Sequence, residues 1–302
     1  MKVLVTGASG YIGSAVSQAL SRNGHEVLGL VRTSEKGKAL ARAEVEPVLG
    51  SMEEPATWID RARDCGAVVH CAAEYSPRFH ELDRRTVEAV LTAQSSANLP
   101  RLFLYTSGVW VYGDTKGERV DESTRVNPPA VVAPRVDTER VVLGASCAHV
   151  RTIVLRPGCV YGGRGGLTGA WFASAVQSGA AKIVGDGSFR WTMIHVEDLA
   201  ELYRLALESS LTGVILNATD RSRSSVHDCA RAASAAAGAK GKVATIPEPE
   251  AVAMFGSFAE CFAFDQHVDS SEAARRLGWQ PRHSGFVDEA RRCFLAWKAH
   301  QG

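Results

Sequence analysis

The segment Lys2-Val3-Leu4-Val5-Thr6-Gly7-Ala8-Ser9-Gly10-Tyr11-Ile12-Gly13 decides the fold. Val3, Leu4 and Val5 form the short apolar run of a buried parallel strand. Gly7, Gly10 and Gly13 follow at three-residue spacing, and Ala15, Val16, Ala19 and Leu20 then recur at helical spacing. Strand, glycine-rich turn and helix together bring backbone N–H groups and the positive end of a helix beneath a pyrophosphate. Gly7 permits a tight turn, Gly10 lets phosphates approach the backbone, and Gly13 lets the helix pack closely on the strand. The candidate dinucleotide contacts here are Gly7, Ser9, Gly10, Tyr11, Ile12 and Gly13. A glycine-rich turn that binds nothing is the plainer alternative, and the position directly after a strand favours the dinucleotide.

The rest of the chain must supply a scaffold for that turn. Its 302 residues are 45% hydrophobic, enough for one large α/β domain or two closely joined lobes. A net charge of +1, with lysines and arginines scattered, gives no field to recruit nucleic acid or an anionic membrane. The seven cysteines are widely spaced and include no C-x-x-C pair, so they read as reduced thiols and neither as a disulfide framework nor as a zinc site. One Lys and three apolar residues before Thr6 do not make a signal peptide, and no apolar run approaches the roughly 18–20 residues that span a bilayer. The expectation is a soluble, cytoplasmic protein that acts on a small molecule, with neither nucleic acid nor membrane as partner.

Further strands and helices alternate after the turn. Glu26–Val31 reads as a second strand and 45–49 as a third. Residues 58–62 suggest a helix, 67–73 a strand closing on small residues, and 81–97 a long amphipathic helix. Strands follow at 102–108 and 150–155. This alternation predicts a doubly wound parallel sheet with helices on both faces and ligands outside the strand C-termini. Residues 1–160, with 188–218 returning, form the expected dinucleotide-binding domain; 161–187 and 219–302 form a smaller substrate lobe.

The strand ends carry the remaining cofactor candidates. Arg32 stands where an NAD-preferring site would place an acidic residue against the adenosine ribose. A guanidinium beside Thr33 and Ser34 suits a 2′-phosphate, so NADP(H) is favoured over NAD(H). An exposed arginine without a ligand is the alternative, and Glu35 could still reach a ribose hydroxyl. Ser51 and Met52 follow the third strand where an adenine would lie, and Cys71, Ala72 and Ala73 are small enough for a cofactor to pass close by. Glu74 and Tyr75 come next as candidate substrate contacts.

Several segments, in order, resemble the extended short-chain dehydrogenase/reductase family in its epimerase/dehydratase branch. They are Thr6–Gly13, His70-Cys71-Ala72-Ala73, Val111-Tyr112-Gly113, Arg156-Pro157-Gly158-Cys159-Val160-Tyr161-Gly162, Ile194-His195-Val196-Glu197-Asp198-Leu199-Ala200 and Leu277-Gly278-Trp279-Gln280-Pro281. The resemblance implies a Rossmann fold, cofactor contacts at Pro157 and Val160, and a homodimer built on helices at 81–97 and 134–144. It also implies catalysis by a Ser or Thr with a Tyr and Lys one helical turn apart, the lysine favouring the phenolate. That Tyr-x-x-x-Lys is absent. Counting back from Glu139, the tyrosine position falls on Val131 and the lysine position on Arg135. Counting back from Tyr112-Gly113, the Ser/Thr position falls on Gly108, with Ser107 one residue earlier. Pro134 costs about 3 kcal/mol inside a helix, so the helix is expected to begin there with Arg135 in its first turn.

Three residues are therefore candidates for catalysis. Arg135 keeps a cation near the cofactor ribose but cannot release a proton at neutral pH; it is either an electrostatic clamp or half of an i,i+4 pair with Glu139. Ser107 ends a sheet strand where substrate should lie, and Tyr112 is a phenol expected near the cleft. Tyr161 is a candidate substrate contact, and a structural hydroxyl is the alternative for both tyrosines. No histidine spacing indicates a metal. The expected activity is oxidoreduction of a small carbonyl or alcohol with NADP(H). Epimerisation, another non-redox conversion or silent cofactor sensing on the same scaffold are the alternatives.

Overall fold

The structure, a computed structural model, describes residues 1–74, 76–95 and 100–301. The chain divides into two units: residues 1–107, 134–156 and 200–216, and residues 108–133, 157–199 and 217–302.

The first unit is built on a seven-stranded sheet. Its strands β1 (Lys2–Thr6), β2 (Glu26–Val31), β3 (Glu46–Leu49), β4 (Ala67–His70) and β5 (Arg101–Thr106) are joined by Val150–Pro157 and Val214–Ala218. The order is β3-β2-β1-β4-β5, then Val150–Pro157, then Val214–Ala218. Every pairing from β3 to Val150–Pro157 is parallel. That order reverses direction between β1 and β4, which makes the C-terminal ends of these two strands the topological switch point where doubly wound folds bind ligands.

Apolar runs such as Val3-Leu4-Val5 and Ala67-Val68-Val69 form these strands because both faces of a parallel sheet are covered. Leu4, Leu28, Val68, Phe103 and Val154 share one buried cluster with Trp58, Val87, Val90 and Val142 from the covering helices. Val3, Val5, Val69 and Leu104 alternate with them and are equally buried. The doubly wound expectation is thus met, with helix α1 (Tyr11–Arg22) following β1 directly.

The second unit has three short parallel strand pairs: Cys159–Tyr161 with Met193–His195, Ala181–Val184 with Val243–Ile246, and Arg119–Val120 with His267–Val268. Its core gathers Tyr161, Trp171, Phe172 and Phe286 around Cys229 and Cys293. A left-handed Gly278 (φ 64°) ends the helix Ser271–Leu277, a stop that glycine adopts without a Cβ penalty.

Several boundaries differ from the sequence reading: β5 ends at Thr106 and not at 108, and the strand from Val150 runs on to Pro157, past 155. β4 stops at His70, three residues before Ala73: Cys71 N–H makes the last bond to the β1 backbone, at Thr6 C=O, and Ala72 N–H bonds the Thr6 side chain. The long helix runs Phe79–Ser95, and its expected last residues, 96 and 97, lie outside the described residues. Among the described residues no helix is long and apolar enough to cross a membrane.

Candidate functional site

The glycine turn has the geometry its spacing implies. Gly7 adopts φ 67°, and Gly10 N–H donates to Gly7 C=O at 2.7 Å, which closes the turn. A Cβ on Gly13 would lie 2.2 Å from Gly7 O, and one on Gly7 would lie 2.7 Å from the Ala72 backbone. A Cβ on Gly10 would lie 2.9 Å from Gly7 O, so all three glycines are fixed by close backbone approach. Gly10 is exposed at the helix N-cap without a side-chain cap, so the first turn of α1 offers backbone N–H groups that a capping side chain would otherwise cover. This is a cradle shaped for a phosphate, and it fits the pyrophosphate of a dinucleotide.

Arg32 lies at the end of β2 with its side chain 61% exposed and pairs with Glu74 at 3.1 Å. Glu74, read from sequence as a substrate contact, is thus brought to the candidate 2′-phosphate arginine. Thr33 caps a helix, Ser34–Ala41, by accepting from Lys36 N–H. Ser51 accepts the Trp58 indole N–H through its carbonyl at 2.8 Å, and Met52 is buried. Tyr75 lies outside the described residues.

Behind the turn runs a buried polar chain. Thr6 Oγ1 lies 2.6 Å from His70 Nδ1 and accepts Ala72 N–H at 3.3 Å. His70 Nε2 lies 3.2 Å from Asp83 Oδ1, and Tyr105 O–H donates to Asp83 Oδ2 at 2.6 Å. Arg135 Nη1 donates to the Tyr105 oxygen at 3.3 Å and to Thr106 C=O at 2.7 Å. Its guanidinium also stands 4.8 Å from the centre of the Phe79 ring, within cation–π range. A charged side chain held by two hydrogen bonds and an aromatic face has little freedom to move.

The electrostatics of this chain are self-consistent. Burial acts to raise the Asp83 carboxyl, but the His70 hydrogen bond, the Arg135 charge and the Tyr105 hydroxyl hold it below the ordinary aspartate range. Burial, with the Asp83 charge adding to it, pushes the Tyr105 phenol well above its ordinary value. Tyr105 therefore stays a donor to Asp83, and Asp83 is the buried anion that balances Arg135.

Arg135 sits in the first turn of the helix Ala133–Gly144, as Pro134 implies. The i,i+4 alternative does not claim Glu139. Its carboxylate is buried and takes two hydrogen bonds from Arg156, at 2.9 and 2.5 Å. Ser107 N–H donates to Leu155 C=O, while its buried Oγ has no partner among the described residues. Arg135 thus grips the carbonyl of the residue immediately before Ser107.

The second unit holds the two candidate tyrosines. Tyr112 O–H donates to Asn217 Oδ1 at 3.0 Å, a buried structural bond. Tyr161 is fully buried between the edges of His195 and Phe286, its hydroxyl has no partner among the described residues, and burial drives its pKa far up. Pro157 is buried, and Val160 is half-buried on the Cys159–Tyr161 strand. His195 and His283 stack at 3.4 Å with Glu289 close enough to share a cation. However, Asp198 holds His283 Nδ1 at 3.0 Å and the Arg292 guanidinium lies 3.2 Å from its Nε2, a charge that opposes a metal. A cavity of about 80 Å³ is walled by Trp171, Trp191, Phe255 and Phe262, and its lining cation, Lys182, pairs with Glu250.

Sequence reasoning missed Asp83 and Tyr105. Asp83 is four residues from both Phe79 and Val87 on the buried stripe of its helix, and an acid on an apolar stripe is the signal that would have found it. Tyr105 gave no signal, since a tyrosine in an apolar strand is ordinary core.

Comparison with known proteins gives a family. Residues 3–218 match the NAD dependent epimerase/dehydratase family. The chain is 30% identical over 300 residues to the uncharacterized protein C2A9.02 of Schizosaccharomyces pombe, covering 96% of this chain and 98% of that one. It is 28% identical over 229 residues to a Stigmatella aurantiaca 4-hydroxy-2-methyl-3-oxo-4-farnesyl-3,4-dihydroquinoline-1-oxide ketoreductase, covering 73% of this chain and 68% of that one. In fold it is similar to human epimerase family protein SDR39U1, isoform 2, solved with NADPH: TM-score 0.80 at 21% identity, covering 98% and 99% of the two chains. With its glycine cradle, its parallel sheet and a family match over more than two thirds of its length, the chain belongs to the NAD-dependent epimerase/dehydratase family.

Proposed function

We propose that this protein is an NADP(H)-dependent oxidoreductase that acts on a small carbonyl or alcohol. The observation that carries the reading is Arg135, a cation fixed by Tyr105, Thr106 and Phe79 at the family's lysine position. The Gly7–Gly13 turn and α1 would hold the pyrophosphate, and Arg32 the 2′-phosphate. The cofactor, when bound, supplies or accepts hydride at its nicotinamide ring.

Arg135 then polarises the carbonyl oxygen as charge develops on it, or locks the nicotinamide ribose in place. Either way it acts as an electrostatic group, because it cannot deliver a proton near neutral pH. The proton that completes an alcohol comes from water, directly or relayed by the Ser107 hydroxyl, which takes a proton back from that water. A ketoreductase among the relatives and NADPH in a structural neighbour agree with this reading.

Titration with NADPH and NADH, followed by nicotinamide fluorescence, tests the cofactor assignment. NADPH should bind at least tenfold tighter, and Arg32→Ala should remove most of that preference. Equal affinities in the wild-type protein would take the 2′-phosphate away from Arg32. Binding of neither dinucleotide would end the hydride-transfer reading.

A further inference from the structure

Two side chains of the first unit form a bridge across the end of β1. Strands β2 and β4 flank β1 on opposite sides, and the glycine turn springs from its C-terminal end. Arg32 directly follows β2, and Glu74 stands four residues beyond the end of β4. The two strands leave the sheet two strand spacings apart, about 10 Å. Arg32 Nη1 and Glu74 Oε2 nevertheless meet at 3.1 Å, a bond between residues 42 apart in sequence.

The backbone is anchored on both sides of this bridge. Val31 C=O accepts Gly50 N–H at 3.0 Å just before Arg32, and Thr33 caps the helix Ser34–Ala41 just after it. On the other side, Cys71 N–H donates to Thr6 C=O, Ala72 N–H donates to Thr6 Oγ1, and the Ala72 backbone lies against Gly7. Arg32 has a carboxylate nearer along the chain, Glu35, yet among the described residues it pairs with Glu74. The fold therefore brings a carboxylate to this guanidinium from beyond the glycine turn.

Carboxylate and phosphate compete for one guanidinium fork, because both match its paired donors. NADH carries a neutral 2′-hydroxyl and leaves the Arg32–Glu74 pair in place. The 2′-phosphate of NADPH must displace Glu74 before it can take Arg32. We propose that Glu74 is a specificity-determining residue of the dinucleotide site: a built-in carboxylate that competes with the 2′-phosphate for Arg32 and so narrows the preference for NADPH over NADH. The proposal rests on the reading of Arg32 as the 2′-phosphate contact.

Fluorescence titration of the full chain with NADPH and NADH, in the wild type, Glu74→Gln, Arg32→Ala and the double variant, tests it. At low ionic strength Glu74→Gln should tighten NADPH about threefold, the size of effect an exposed ion pair supplies, and change NADH by less than about 1.5-fold. In the Arg32→Ala background the same substitution should leave NADPH affinity unchanged, since no guanidinium remains to compete for. Both side chains reach solvent, so all variants should melt at the wild-type temperature. Equal gains in the two backgrounds would overturn the proposal, because Glu74 would then act as a bare charge beside the phosphate. Equal gains for NADPH and NADH would overturn it, as would NADPH binding that Glu74→Gln leaves unchanged or weakens. Loss of the NADPH preference in Arg32→Ala beside an inert Glu74→Gln would remove this proposal alone. A preference that survives Arg32→Ala would remove the 2′-phosphate reading and the proposal with it.

Discussion

The glycine turn after β1 and the start of the helix Ala133–Gly144 teach opposite lessons. At the turn, each glycine does what its spacing implies, and the geometry is set by backbone atoms that any sequence with this pattern would bring together. At the helix start, counting back from Glu139 puts Val131 and Arg135 where the family's tyrosine and lysine are expected, and the pattern alone gives no chemistry. Meaning there comes from contacts made across the fold, from Tyr105 on β5 and from Phe79 and Asp83 on the helix before it. One region is defined by its backbone shape. The other is defined by a side-chain network.

The turn is the easier region to break. Gly13→Ala puts a methyl 2.2 Å from Gly7 O, where both neighbours are backbone and neither can yield. NADPH affinity should fall by two orders of magnitude or more, read by fluorescence titration, with a stability loss of about 1–3 kcal/mol by thermal melting.

Arg135 sharpens the other side. Arg135→Ala should lower kcat/KM about 100-fold, the cost of removing one preorganised group that stabilises developing charge. NADPH affinity should change far less. A loss confined to NADPH binding would make Arg135 a ribose clamp and not a carbonyl group. Asp83→Asn should act through Arg135, with a smaller loss of about tenfold in kcat and a wild-type cofactor affinity. Rescue by Asp83→Glu would not be expected, because Tyr105 and His70 fix both carboxylate oxygens.

Much of the fold was legible because apolar runs separated by glycine and proline punctuation leave few alternatives, as Glu26–Val31 and the Gly278 stop show. The short strands Cys159–Tyr161 and Val243–Ile246 were not, since three or four residues of mixed polarity carry no period. Candidate cofactor residues follow from position at strand ends. The Asp83–Tyr105–Arg135 chain does not, because it joins residues 22 and 30 apart in sequence whose types are individually unremarkable in their elements. Likewise, Glu139 is paired with Arg156 from a separate strand and not with its helical neighbour.

The smallest expected effect compares the buried polar groups of the second unit with that network. Burial first, then the charge of His283, lowers His195 to about 3. Above pH 6.5 both folded and unfolded chains carry it neutral. Below that, the unfolded chain takes a proton that the folded chain refuses, so stability falls with pH down to about 3. By pH 5 this amounts to about 2 kcal/mol. Asp220, raised to about 6, works the other way: below pH 6 the folded chain takes its proton first and gains stability. Melting curves at pH 7.5 and 5 should show a net acid loss in the wild type, flattened by His195→Asn and steepened by Asp220→Asn.

The central claim is hydride transfer to a carbonyl on a cofactor held at Gly7–Gly13, with Arg135 in place of the usual tyrosine and lysine. NADPH deuterated at nicotinamide C4 should be incubated with a panel of small aromatic and alkyl ketones and aldehydes, and the products read by mass spectrometry. Deuterium on the carbinol carbon of an alcohol product, lost in Arg135→Ala, is the expected result. Tight NADPH binding with no deuterium in any product of the panel would contradict the claim and leave a cofactor-binding protein without redox turnover.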